Sequence, residues 1–137
     1  MTYRYLPHTA DIKVAIEGRS FDELLADGVL ITRELLAGDG PVVPREQRRL
    51  HVAGPDAQET FLAFLRELLF LHAMDAFLPS TFLPDSVAET AVSGLLAGEP
   101  FDEERHEQQP EVKAVTRHGL VVEPRADGWH AEVVFDV

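Results

Sequence analysis

Hydrophobic and polar positions alternate with a period of two from Ile12 to Glu17: Ile12, Val14 and Ile16 lie on one side, Lys13 and Glu17 on the other. This is the pattern of a half-buried strand, and Gly18 ends it. The period then changes. Ser20 and Glu23 have the spacing of a capping box, and Phe21, Leu24, Leu25, Gly28, Val29, Thr32, Leu35 and Leu36 recur at helical intervals, which predicts a helix over residues 21–36. A Gly- and Pro-rich loop (37–44) follows, then a short charged strand (45–52) whose Arg48 and Arg49 read as a solvated edge. Asp56 and Glu59 repeat the capping spacing ahead of Phe61, Leu62, Phe64, Leu65, Leu68, Leu69, Phe70 and Leu71, so a second helix should supply the centre of the core. His72 closes this helix, where an imidazole suits the helix dipole better than it suits a ligand or base role.

Prolines and glycines interrupt the stretch from Phe77 to Pro100, leaving only weak alternation around residues 86–96 and predicting one or two strands. Residues 101–110 are charged and aperiodic, an exposed loop in which His106 reads as a surface histidine. Strand-type residues return at 111–116 and 120–123, and Arg125, Ala126, Asp127 and Gly128 provide a hairpin turn. The last strand sets Trp129, Ala131, Val133 and Phe135 on one face and His130, Glu132, Val134 and Asp136 on the other. With no repeat or linker, residues 1–137 read as a single α+β, two-layer domain in which two main helices pack on a mostly antiparallel sheet.

Composition narrows the function classes. The 137-residue chain has no cysteine, which excludes disulfides, thiolate metal sites and cysteine nucleophiles. No apolar run approaches the ~20 residues of a membrane helix, and the start lacks the regions of a signal peptide, so a cytoplasmic protein is expected. Asp and Glu number 24 against 12 Lys and Arg, a net charge of -12 that opposes direct binding to a phosphate backbone; it fits a basic protein partner, and equally a simple solubility role. No phosphate-binding glycine loop, serine elbow or paired-histidine signature occurs.

What remains is carboxylate chemistry at the two ends. Asp11 stands where a turn fixed by Pro7 becomes a strand, and Asp136 precedes the free carboxylate of Val137. If the first and last strands pair, these anions converge and require a cation or protons. A hard divalent ion (Ca²⁺, Mg²⁺ or Mn²⁺) fits an oxygen-only set, and an Asp11/Asp136 acid–base pair in a small metal-dependent hydrolase is the competing reading.

Four separated motifs add to the metal reading and leave the hydrolase as an alternative. Tyr5, Leu6, Pro7, His8, Thr9, Ala10, Asp11; Gly98, Glu99, Pro100, Phe101, Asp102 with Arg105 and His106; Glu111, Val112, Lys113, Ala114, Val115, Thr116; and Phe135, Asp136, Val137 together resemble the archease family over nearly the whole chain. The resemblance implies a cytoplasmic protein that is not an enzyme but activates the RtcB-type, GTP-dependent RNA ligase of tRNA splicing and RNA repair, promoting guanylylation and multiple turnover. A chaperone-like modulator of RNA-modifying enzymes is the alternative. It further implies a divalent metal bound by Asp11, Asp136 and Val137, an acidic residue after the first helix to which Asp39 corresponds one position late, and His8, Lys113 and His118 as candidate partner contacts or supports of the metal ligands. An exposed strand lysine is the plain alternative for Lys113. The chain departs from the family at Arg117, where Tyr is usual, and in the poor alternation of residues 82–97.

Overall fold

A computed structural model describes residues 2–6 and 11–137. The elements are β1 (Thr2–Leu6), β2 (Ile12–Gly18), α1 (Phe21–Ala37), β3 (Glu46–Ala53), α2 (Ala57–Asp75), β4 (Phe77–Ala88), β5 (Ala91–Pro100), β6 (Ala114–Arg125) and β7 (Gly128–Asp136). Both helices start as the capping pattern requires, with the Ser20 and Asp56 side chains accepting from the Glu23 and Glu59 amides. Gly38, at φ 64°, ends α1, and its amide donates to the Glu34 carbonyl.

The strands form two antiparallel sheets rather than one. The first has the order β1-β2-β7-β6, the second β3-β5-β4. One apolar core runs through both, joining Val14, Ile16, Val133 and Phe135 of the first sheet to Leu50, Val92 and Leu96 of the second through Leu24, Leu25, Phe61, Phe64 and Leu65 of the helices. The helices approach closely where Gly28 meets Phe61 and Leu65; a Cβ at Gly28 would stand 2.9 Å from Leu65.

The poorly patterned stretch forms two strands, the upper end of the expectation, as a long hairpin of β4 and β5, because its interruptions sit where an edge strand tolerates them: the register of β4 shifts between Pro79 and Thr81 and between Pro84 and Ser86. Other expectations need correction. An additional strand, β1, lies before the one expected first, with Tyr3 and Tyr5 on its helix-facing side. Residues 111–113 are not strand, and the expected pieces around 114–116 and 120–123 belong to one strand, β6, broken by a register shift between Thr116 and Val121. α2 continues past His72 to Asp75, and His72 sits in its last turn with Nδ1 3.1 Å from the Phe77 carbonyl. β3 is an edge strand as expected, but its arginines are paired: Arg48 with Glu46 and Asp75, Arg49 with Asp85, and the Arg48 guanidinium lies 4.6 Å from the Phe77 ring centroid.

Candidate functional site

The antiparallel register of β2 and β7 runs from Gly18↔Trp129 to Ile12↔Phe135. One step further along the same register stand Asp11 and Asp136, side by side at one end of the first sheet. Asp11 is half-buried, whereas Asp136 and Val137 are exposed. β6 completes the row, with Ala114 opposite Asp136, and the Lys113 amide donates to the Asp136 carbonyl at 2.8 Å. Lys113 is thereby set beside Asp136 at the point where the chain enters the sheet. His8 and the Pro7 turn lie outside the described residues.

α1 runs back against β2, so the loop after it returns to this end. Asp39 is exposed there and lines an open depression of about 740 Å³ with Tyr5, Glu34, Arg105, Glu107 and Gln109. The wall is held by hydrogen bonding between Tyr3 and Glu34, which pushes the Tyr3 hydroxyl up to about 12; burial, then the Glu34 charge, raises that of Tyr5. His118 is not brought to this end. It lies on the irregular edge of β6, four residues beyond Ala114, roughly 13 Å by the rise of a strand. Arg117 beside it makes a forked pair with Glu59 at 2.7 and 3.0 Å, tying that edge to the first turn of α2.

On the open face of the same sheet, His130 lies between Glu17 (2.6 Å) and Glu132 (2.8 Å), and Lys13 reaches Glu132 at 3.4 Å. The outward row read from the sequence is therefore correct in direction, yet His130 and Val134 are buried within it.

The sequence reading missed a second cluster. Glu99, with a fully buried side chain, accepts from both terminal nitrogens of Arg105 and from the Val43 amide at 2.6 Å, and lies 3.3 Å from Arg45 Nε. His106 is not a surface histidine: its ring is buried against Phe101, with Nε2 3.3 Å from Glu99. Its Nδ1 accepts from the Asp102 amide at 2.9 Å, which leaves Nε2 as the ring N–H turned to the carboxylate. The guanidinium of Arg105 beside it, with the Val43 amide, holds the Glu99 carboxyl down at about 2 against the cost of burial. The signal was present as Glu99, Arg105 and His106 in one short charged segment, but charge without periodicity reads as surface.

Chemically, the strand-end group offers hard oxygen donors: the carboxylates of Asp11 and Asp136, with Val137 following. That donor type suits Ca²⁺, Mg²⁺ or Mn²⁺ and no thiol-seeking metal. Among the described residues, no group of three or more His, Asp or Glu side chains converges as a metal cage. Nor is any described helix long and apolar enough to cross a membrane.

Residues 3–137 match the archease protein family (MTH1598/TM1083). The chain is 32% identical to the archease of Methanosarcina acetivorans, with 98% of this chain and 95% of that protein covered, and 31% identical to that of Methanopyrus kandleri over the full length of both. The solution structure of Methanobacterium thermoautotrophicum protein 1598 superposes with a TM-score of 0.81 at 28% identity, covering 98% of each chain. The crystal structure of a Thermotoga maritima archease, described as a possible chaperone, gives a TM-score of 0.69 at 22% identity over 96% of this chain and 94% of that one, and so bears on the fold alone. With this length of match, the same architecture and all four motifs in order, the chain belongs to the archease family.

Proposed function

We propose that this protein is a cytoplasmic, metal-binding activator of an RtcB-type GTP-dependent RNA ligase, acting on the ligase's guanylylation and turnover rather than joining RNA itself. The observation that carries the reading is the register of β2 and β7, whose continuation past Ile12↔Phe135 meets Asp11 and Asp136. Two carboxylates with water and phosphate oxygens are an ordinary way to hold Mg²⁺ or Mn²⁺, so the ion would be shared with a nucleotide-loaded partner instead of being enclosed. Asp11, Asp136 and Val137 would hold it, with Lys113 and Asp39 at the same end as partner contacts. The net charge of -12 supports a partner with a basic surface and disfavours direct contact with RNA.

Purified protein added to a cognate ligase with GTP and Mn²⁺ tests this directly. Asp11→Ala and Asp136→Ala are each expected to lose both the calorimetric heat of Mn²⁺ binding and the stimulation of ligation while keeping the parent circular dichroism spectrum. Full stimulation by both variants would reject the proposal. A chaperone-like role has one observation in its favour, the exposed Phe70 and Met74 on the outer side of α2. It predicts suppression of aggregation of an unrelated protein by the Asp11→Ala variant, lost in Phe70→Ser.

A further inference from the structure

Glu99 presents a problem of charge. A carboxylate with no exposed side-chain surface is costly unless cations and hydrogen-bond donors surround it. Here two arginines, the ring of His106 and one amide do so, and they come from different parts of the chain. Val43 and Arg45 belong to the connection between α1 and β3; Arg105 and His106 belong to the segment after β5. That segment has no ladder hydrogen bonds of its own between Pro100 and Ala114. Its order depends on local ties: the Phe101 amide to the Ala76 carbonyl, the Arg105 and His106 amides to the Asp102 carbonyl, and the Asp102 amide to His106. These ties surround the Glu99 cluster; further along, Val112 packs against the core and the Lys113 amide bonds to the Asp136 carbonyl.

Among the described residues, Lys113 makes no side-chain ion pair, in a chain whose acids outnumber its bases two to one. Lys13, the only other lysine, is held by Glu132. An exposed lysine left unpaired beside Asp136 depends for its position on the backbone that carries it.

We propose that Glu99 is a positioning residue: by gathering Arg105, Arg45, His106 and the Val43 amide it fixes residues 101–113 and so presents Lys113 beside Asp136 at the strand-end site. The role rests on the reading that this end meets the ligase. Glu99 itself touches neither metal nor partner; it acts through the segment. Arg105 has a double part, since it also lines the depression shared with Asp39 and Tyr5, so the cluster sets one wall of that depression as well.

The test is a double-mutant cycle read together with hydrogen exchange. In the full-length protein, Glu99→Gln is expected to raise amide exchange in residues 101–113 by about tenfold or more while β2 and β7 exchange as in the parent. It should reduce ligase stimulation by the same factor as Lys113→Ala, with the double variant no worse than Lys113→Ala alone, because coupled residues are not additive. A merely structural role would give additive losses. Additive losses, or parent-like exchange of residues 101–113 in the Glu99→Gln protein, would overturn the proposal. If Glu99→Gln does not fold, Arg105→Lys takes its place: it keeps the charge and removes the fork, and the same pattern is expected at roughly threefold. Should the parent itself fail to stimulate the ligase, the functional reading above falls, and the exchange arm alone decides whether Glu99 orders the segment.

Discussion

The two carboxylate sites of this protein differ in where their counter-charge comes from. Glu99 is sealed from water and its charge is met by the chain's own Arg105 and Arg45, with His106 packed alongside. Asp136 is exposed at the end of a strand, next to Asp11 in register and followed by Val137. A buried anion has to bring its cations with it when the chain folds, and it then holds segments together. An anion cluster at a wet strand end can be left for an external ion to neutralise. The same residue chemistry is thus enclosed within the fold in one place and presented at its surface in the other.

That contrast is sharpest in stability. Glu99→Ala is expected to cost roughly 3 kcal/mol in urea unfolding, because it removes the carboxylate that accepts from Arg105 and the Val43 amide and leaves buried His106 facing an empty space. Asp136→Ala should change stability by no more than about 0.5 kcal/mol, as for other exposed positions, while abolishing Mn²⁺ binding. An equal effect of the two substitutions would erase the distinction. Next in size is Gly98→Ala, beside Glu99: a Cβ there would stand 2.0 Å from the Leu78 carbonyl oxygen, and parting β4 from β5 should cost about 2 kcal/mol.

The distinction also has a pH signature. Hydrogen bonding from Arg105 and the Val43 amide holds the Glu99 carboxyl at about 2 instead of 4.5, so the folded protein binds fewer protons than the unfolded chain. Its contribution is complete above pH 4.5 and is lost as the pH falls toward 2, and Glu99→Gln should flatten stability across that window. Asp27 behaves oppositely. Buried in α1 with Oδ2 lacking a hydrogen bond, it is pushed up to about 6 by burial, so its folded form keeps a proton that the unfolded chain releases near 3.8. Stability is lost as the pH rises from 3.8 to 6, and Asp27→Asn should unfold at higher urea than the parent at pH 7, by roughly 1 kcal/mol. The smallest effect is expected at Arg117→Ala, which removes an exposed pair with Glu59 and should leave the melting temperature unchanged within error.

Much of this was legible in the residues. The capping pairs Ser20/Glu23 and Asp56/Glu59 started both helices where predicted, and the alternation of Ile12–Gly18 and Gly128–Asp136 assigned the faces of β2 and β7. These features are local: a side chain reports its own period and its own cap. His106 was misread, and residues 82–97 showed their two expected strands only weakly, for the complementary reason. A histidine among acids is a surface histidine unless a carboxylate from another element is folded onto it, and Pro79 and Pro84 break a strand unless that strand is at an edge and can bulge.

The sequence by itself determined the two helices, the faces of the strands and the presence of aspartates at both ends. Only the tertiary structure decided that Asp11 and Asp136 are neighbours, that the strands divide into two sheets, and that Glu99 finds its cations. Pairing register and charge burial depend on residues far apart in the chain, and no local pattern encodes a partner that chain folding alone brings into contact.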